Sequence, residues 1–294
     1  MQILQSDDMA LTYQKQCRIT IVLCQNKCKD CMENAGNCYF WIRELGVNEG
    51  MEIKILGYWG GYPSAGGATA GYLINTGEGQ ILLDCGSGVM SRLVQYTSVD
   101  KLDGVILSHL HYDHMADIGI LQYAAVNAIR NGRMKKKLTL FAPDEPANIF
   151  NTLRGDHSEI YRIDSTHKVQ LAGAEIEFVS VSHTVPCYAV KVSYRGKVLV
   201  YSGDTSYCDA LVELARDADI FLCEATICEG SVHTTGAGHM NASQAGMIAD
   251  QANVKRLVLV HLPGDGDLEF MRQSASEMFG GPVELPDTSV MYSV

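Results

Sequence analysis

One short apolar run, Val105-Ile106-Leu107, leads straight into Ser108-His109-Leu110-His111-Tyr112-Asp113-His114. Three imidazoles and a carboxylate at that spacing fit a tight turn after a strand. His109 and His111 can then face one cation while Asp113 and His114 face a second. Strand ends are where rigid backbone meets open space, so ligands gather there without burying loops. Three more residues stand at the ends of apolar runs: His183 in Val181-Ser182-His183-Thr184, Asp204 in Tyr201-Ser202-Gly203-Asp204-Thr205, and His261 in Val260-His261-Leu262. A single histidine in such a place is best read as an ordinary core or surface residue. Chance is a poor explanation for all seven together. Imidazole and carboxylate suit zinc, and also manganese or iron. A carboxylate such as Asp204 can bridge two ions with its two oxygens.

The chain of 294 residues is 47% hydrophobic, enough for a sizeable core in one large domain or two small ones. From Met51 onward, strands come in runs with helices between the runs. Strands are expected at 51–56, 72–75, 80–84, 105–107, 138–142, 187–194, 197–201, 220–223 and 256–260, with further alternation over 168–182. Helices are expected over 87–96, from the His-rich turn to about Arg130, weakly over 144–155, through 211–215, over 241–250 and near 267–279. Two mixed sheets packed face to face with helices outside satisfy this order. No apolar run reaches membrane-spanning length and no signal-peptide core is present, so a soluble cytoplasmic protein without a membrane partner is expected. The net charge of -11 argues against an extended nucleic-acid surface.

The His-x-His-x-Asp-His run, the later His183, the Gly-Asp-Thr at Asp204 and the strand-terminal His261 resemble the successive metal motifs of the metallo-β-lactamase superfamily. The resemblance covers Met51 to the C-terminus. It implies an α/β (α+β) fold, the αββα sandwich, with a dinuclear site at one edge. It assigns His109, His111 and His183 to a first ion and Asp113, His114 and His261 to a second, with Asp204 bridging. Redox-active di-iron members carry Glu at the position of His111, and the most familiar β-lactamases carry Cys at the position of Asp204. Both departures point to hydrolysis other than that of antibiotics. Homodimerisation is a further implication of the family.

A second cluster is more specific. Leu222-Cys223-Glu224-Ala225-Thr226 and Gly238-His239-Met240-Asn241-Ala242-Ser243-Gln244-Ala245-Gly246 resemble motifs of ribonuclease Z and its phosphodiesterase relatives. Carried over, His239 is the proton donor to the leaving oxygen, and Glu224 orients it. The chain has Met240-Asn241 where Ser-Thr is usual. A plainer reading has Asn241 or Ser243 capping a helix that His239 merely precedes. Catalytic residues are thus expected at Asp113, His239 and Glu224. Two divalent ions against Asp113 and Asp204 leave the site positive in an acidic chain, which suits a small anionic substrate, a phosphodiester or nucleotide. Ribonuclease Z carries a long arm between the positions of His183 and Asp204, where this chain has only 20 residues. The alternatives are a lactone or thioester hydrolase on the same metals and, from another class, a non-catalytic metal-dependent binding protein.

Three segments carry open readings. The 57–71 loop, with Tyr58, Trp59, Tyr62 and Pro63, should border the site; it could stack an aromatic group or be a plain turn with aromatic anchors. The basic run from Arg130 to Lys137 reads best as a solvated helix end. Residues 1–50 hold five of the ten cysteines, with Cys24, Cys28, Cys31 and Cys38 in a weak likeness to a zinc knuckle. That segment reads as a structural zinc site, a disordered extension, or an upstream start to a domain beginning at Met51. The remaining cysteines sit mostly in apolar runs, where a reduced thiol behaves as a small hydrophobe.

Overall fold

A strand buried on both faces needs apolar residues at every position, with odd and even side chains serving different cores. The runs Gln80-Ile81-Leu82-Leu83, Ile220-Phe221-Leu222-Cys223 and Leu257-Val258-Leu259-Val260 have that composition. The computed structural model describes residues 3–5, 10–14, 20–24, 50–228, 230 and 238–294. The chain divides into two units, Met1–Glu49 and Gly50–Val294. In the first, strands β1 (Ile3–Gln5), β2 (Ala10–Gln14) and β3 (Thr20–Cys24) pair antiparallel in that order. The zinc-knuckle reading falls on Cys28, Cys31 and Cys38, outside the described residues.

The second unit holds two seven-stranded sheets among its described residues. One contains β4 (Glu52–Gly57), β5 (Gly71–Asn75), β6 (Gln80–Leu83), β7 (Leu102–Ile106), β8 (Leu138–Ala142) and β9 (Ser158–Arg162), closed at the β4 edge by the C-terminal β17 (Tyr292–Ser293). The other runs in order through β10 (Val169–Leu171), β11 (Ala174–Val181), β12 (Cys187–Tyr194), β13 (Lys197–Tyr201), β14 (Ile220–Glu224), β15 (Leu257–Val260) and β16 (Val283–Glu284). Each sheet is antiparallel in its first half and parallel in its second. Pairing turns parallel at β6–β7 in one sheet and at β13–β14 in the other.

Between the sheets lies one core, with Ile53, Ile55, Tyr72, Ile81 and Leu83 from the first against Ile176, Phe178, Tyr201, Leu222 and Val260 from the second. The alternate residues face outward onto helices. Leu56, Leu82 and Leu140 pack with α1 (Val89–Leu93), α2 (Tyr112–Met115), α3 (Ile118–Arg130) and α4 (Ala147–Thr152). Val200, Phe221 and Leu259 pack with α5 (Asp209–Ala215), α6 (Ala242–Gln251) and α7 (Leu268–Met278). The result is the four-layer αββα sandwich, with each fully buried Leu or Ile contributing about 1.5–3 kcal/mol.

The structure changes some expected boundaries. Strand β9 is not legible in the sequence, because an edge strand with one buried residue in five leaves a polar pattern. The alternation over 168–182 is two strands, broken by a turn at Ala172 and Gly173, both with positive φ. The helix expected over 87–96 is only α1; Val89 and Leu93 are buried, but Tyr96 lies outside, beneath the Lys54 ammonium at 4.5 Å. The basic run after α3 is solvated, with Arg133 paired to Asp100 and Lys136 to Asp103. Cys85, Cys187 and Cys223 are buried and free, Cys208 is half-buried and Cys228 is exposed. No helix among the described residues is long and apolar enough to cross a membrane.

Candidate metal centre

Parallel strands send their C-terminal ends to the same edge, so the turns after β6, β7, β13, β14 and β15 meet there. His109, His111, Asp113 and His114 follow β7. His183 follows β11, Asp204 follows β13, Glu224 ends β14 and His261 follows β15 directly. His261 holds φ at +51°, a conformation uncommon for a residue with a side chain. Its surroundings fix it there: a Cβ on Gly60 would lie 2.7 Å from its ring, so only glycine fits beside it.

All seven sequence-predicted ligands come together, in two groups. His111 Nδ1 lies 3.1 Å from His109 Nε2 and 3.1 Å from His183 Nε2. Asp113, His114, Asp204 and His261 form the second group. In it, His261 Nε2 stands 3.0 Å from Asp113 Oδ2 and 3.2 Å from Asp204 Oδ2, and His114 Nε2 stands 3.3 Å from Asp204 Oδ2. Asp204 Oδ2 also approaches His109 Nε2 of the first group, at 3.6 Å. A tetrahedron drawn with zinc–nitrogen bonds of 2.0–2.1 Å has edges of roughly 3.3 Å. The donor atoms therefore already stand at the spacing of a coordination shell. His114 Nε2 and Asp204 Oδ1 are buried and make no hydrogen bond. Polar atoms left in that state require a partner, and a divalent cation in the second group, to which both residues belong, would supply it.

The electrostatics agree. Burial holds the His109, His111 and His183 rings below the ordinary histidine pKa, which keeps them neutral and their lone pairs free. Burial also opposes charge on His114, but Asp204 and Asp84 outweigh it and favour the charged ring. Burial raises Asp113 and Asp204 less than the surrounding histidines lower them, so both stay ionised. The pocket thus calls for positive charge where the second group converges.

Four of the five rings are oriented from behind. His114 Nδ1 donates to Asp84 at 2.8 Å, His183 Nδ1 to the Gly238 carbonyl at 2.7 Å, His261 Nδ1 to Thr226 Oγ1 at 2.6 Å, and His109 Nδ1 to Ser108 Oγ at 3.1 Å. Such partners set which nitrogen faces the metal. Asp84 is fully buried and accepts in addition from Ser108 N, Ser108 Oγ and Tyr201 OH at 2.7–2.8 Å. Sequence reasoning gave no role to Asp84, Ser108, Tyr201, Thr226 or Gly238. Asp84 carried a usable signal, because it too is a strand-terminal carboxylate.

Glu224 and His239 meet as well. Glu224, fully buried, accepts from Thr205 N at 2.6 Å and Thr226 Oγ1 at 2.8 Å, and its Oε1 lies 3.0 Å from His239 Nδ1. Burial works against the imidazolium, but the Glu224 carboxylate outweighs it and raises the His239 pKa. The helix-capping reading also holds: Asn241 and Gln244 form a capping box at the start of α6. Met240, where Ser is usual in the resembled motif, is buried against Cys223.

His239 opens onto a cavity of about 280 Å³ that also reaches His111, Asp113, Asp204 and His261. Its outer wall is the loop between β4 and β5 at Gly60–Tyr62, together with Pro263–Asp265, so the loop does border the site. Arg92 holds this loop by donating to the carbonyls of Leu56 and Gly66. The loop holds Asp113 in turn, through Gly61 N to Asp113 Oδ2 at 2.8 Å.

Residues 79–262 match the family described as "Beta-lactamase superfamily domain". The chain is 34% identical over 243 residues to the probable metallo-hydrolase YhfI of Bacillus subtilis, spanning 82% of this chain and 99% of that one. The crystal structure of that metallo-β-lactamase fold protein matches with a TM-score of 0.80, over 83% of this chain and 100% of that one. A ribonuclease Z of Halorubrum lacusprofundi is 24% identical over 301 residues, covering 83% and 97% of the two chains. Human tRNase Z, short form, shares the fold at a TM-score of 0.65 and 19% identity, over 83% and 99%.

Proposed function

The chain belongs to the metallo-β-lactamase superfamily and is a metallo-hydrolase, and from that premise we propose that it cleaves a small phosphodiester with the help of two divalent ions, zinc by the chemistry of the donors. His109, His111 and His183 hold one ion, Asp113, His114 and His261 hold the other, and Asp204 reaches both. Ions bound there neutralise charge on the phosphoryl oxygens and make water a stronger nucleophile at neutral pH.

The observation that carries the reading is the buried Glu224 carboxylate 3.0 Å from His239 Nδ1. It fixes the ring orientation, leaves Nε2 to the cavity and stabilises the ring's charged form. His239 then donates a proton to the departing ester oxygen. An alkoxide is a poor leaving group, and a positioned acid contributes about 10²–10⁴-fold. Hydrolysis of a thioester has little use for such a donor. The cavity of about 280 Å³ sits at the lower end of small-molecule sites, which run from roughly 300 to 1,000 Å³. The stretch between His183 and Asp204 is taken up by β12 and β13, so no arm for gripping RNA extends from it. The relatives named ribonuclease Z support phosphodiester chemistry; the size of the cavity and the charge of -11 favour a smaller substrate.

The test sets bis(p-nitrophenyl) phosphate, a dialkyl-type diester, a thioester and a lactone before protein of assayed metal content. Diester cleavage should vanish with a chelator and return with zinc or manganese. In His239→Ala, turnover of the poor-leaving-group diester should fall by about 100-fold or more, and that of the activated diester far less. Acyl turnover without diester cleavage would overturn the reading, and equal loss on both diesters would remove His239 from the acid role.

A further inference from the structure

The outer wall of the cavity has an unusual make-up for a site that draws an anion. Gly60, Gly61 and Gly264 present bare backbone to it. A Cβ on Gly61 would meet nothing within 4 Å, so that stretch borders open space. Tyr62 lines the same wall with 64% of its surface exposed. The ring is backed by the opposite loop: a Cβ on Gly264 would sit 3.6 Å from Tyr62 Cε2. Asp265, exposed to solvent, completes the wall. A carboxylate there repels any phosphate beyond the one that reacts. It is hydrated in the free protein, and a substrate that fills the cavity replaces that water with N–H or O–H donors of its own.

We propose that Tyr62, the glycine-lined slot and Asp265 form a specificity subsite for a flat, donor-bearing aromatic group on one ester arm of the diester. This rests on the phosphodiesterase reading above and names the class of substrate that reading leaves open. Tyr62 stacks the ring, the glycines leave a slot with no side chain to obstruct a planar group, and Asp265 accepts from an exocyclic amine or a sugar hydroxyl. Because a second phosphate would sit against Asp265, the subsite selects diesters of one nucleoside over chains of phosphates.

The probes are p-nitrophenyl phosphodiesters whose second arm is methyl, adenosine, 2′-deoxyadenosine or unsubstituted purine riboside, turned over by the metal-loaded full chain. The adenosine ester should exceed the methyl ester in kcat/KM. Tyr62→Ala should cut that ratio by about tenfold, the scale of one base–aromatic stack, while Tyr62→Phe keeps it. Asp265→Asn should erase the preference for adenosine over whichever probe lacks the recognised donor, the riboside for the amine or the deoxy ester for the hydroxyl. It should also improve turnover of an arm carrying an added phosphate. Calorimetric binding of adenosine 5′-monophosphate gives a second readout, weakened more than inorganic phosphate binding by Tyr62→Ala. An unchanged ratio and unchanged nucleotide binding in Tyr62→Ala would overturn the subsite. Absence of cleavage for every diester, with nucleotide binding still dependent on Tyr62, would instead overturn the phosphodiesterase reading and leave the subsite standing.

Discussion

At the scale of the residue, Asp84 shows how a side chain outside the centre governs it. It occupies a fully buried place at the end of β6 with a positive φ, and it collects four hydrogen bonds, one of them from His114. By accepting from His114 Nδ1 it leaves Nε2 aimed at the second group, and its charge strengthens the ring as a donor to a bound metal. Asn tolerates the same backbone conformation, so Asp84→Asn removes mainly the charge. The variant should bind its second equivalent of zinc about 10–100-fold more weakly, read by competition with a chromophoric chelator. The first equivalent, on His109, His111 and His183, should be held far more nearly as before. Equal weakening of both equivalents would show that Asp84 supports the fold rather than one ligand. The seven candidate ligand positions were legible because each stands in or beside a turn that ends an apolar run, and the Glu224–His239 pair because its two motifs resemble those of ribonuclease Z. Asp84 was hidden by the same device, since a lone Asp before Cys-Gly also reads as an ordinary turn residue.

At the scale of the element, α6 links local sequence to the site. His239 lies two residues before the cap, so the capping box of Asn241 and Gln244 fixes both the helix start and the chain that bears the proposed proton donor. Asn241→Ala should lower stability by about 1 kcal/mol, and Asn241→Asp by much less, because Asp caps equally well. Urea midpoints at constant slope check this; equal losses in the two variants would place Asn241 in some role other than capping. The sequence offered Asn241 or Ser243 as the cap, and the structure selects Asn241 with Gln244. Strand β9 was not legible, because its pattern reflects a position at the sheet edge that no local propensity encodes.

At the scale of the whole molecule, the second unit closes on itself. Its last strand β17 pairs with its first strand β4, and Val294 N donates to Met51 O at 2.9 Å. We propose that residues 50–294 are an autonomous catalytic unit and that residues 1–49 are dispensable to it. Deleting 1–49 should leave the soluble yield, the thermal midpoint and the metal stoichiometry essentially unchanged. Insoluble protein, or loss of bound metal, would reject that division.

The order of apolar runs and the placing of metal-type residues after them were in the sequence, because strand periodicity and ligand chemistry are local properties. They sufficed for the αββα class and for the roster of candidate ligands. How those residues group was implied by the family resemblance, but only the tertiary structure gives the physical reason: His183, Asp204 and His261 are distant in sequence and meet because the strands before them end at one edge. It alone showed Asp84 behind His114, Thr226 behind His261 and the glycine-lined slot beside Tyr62. Each of these depends on which chains approach within a few ångströms, and that follows from how the two sheets pack.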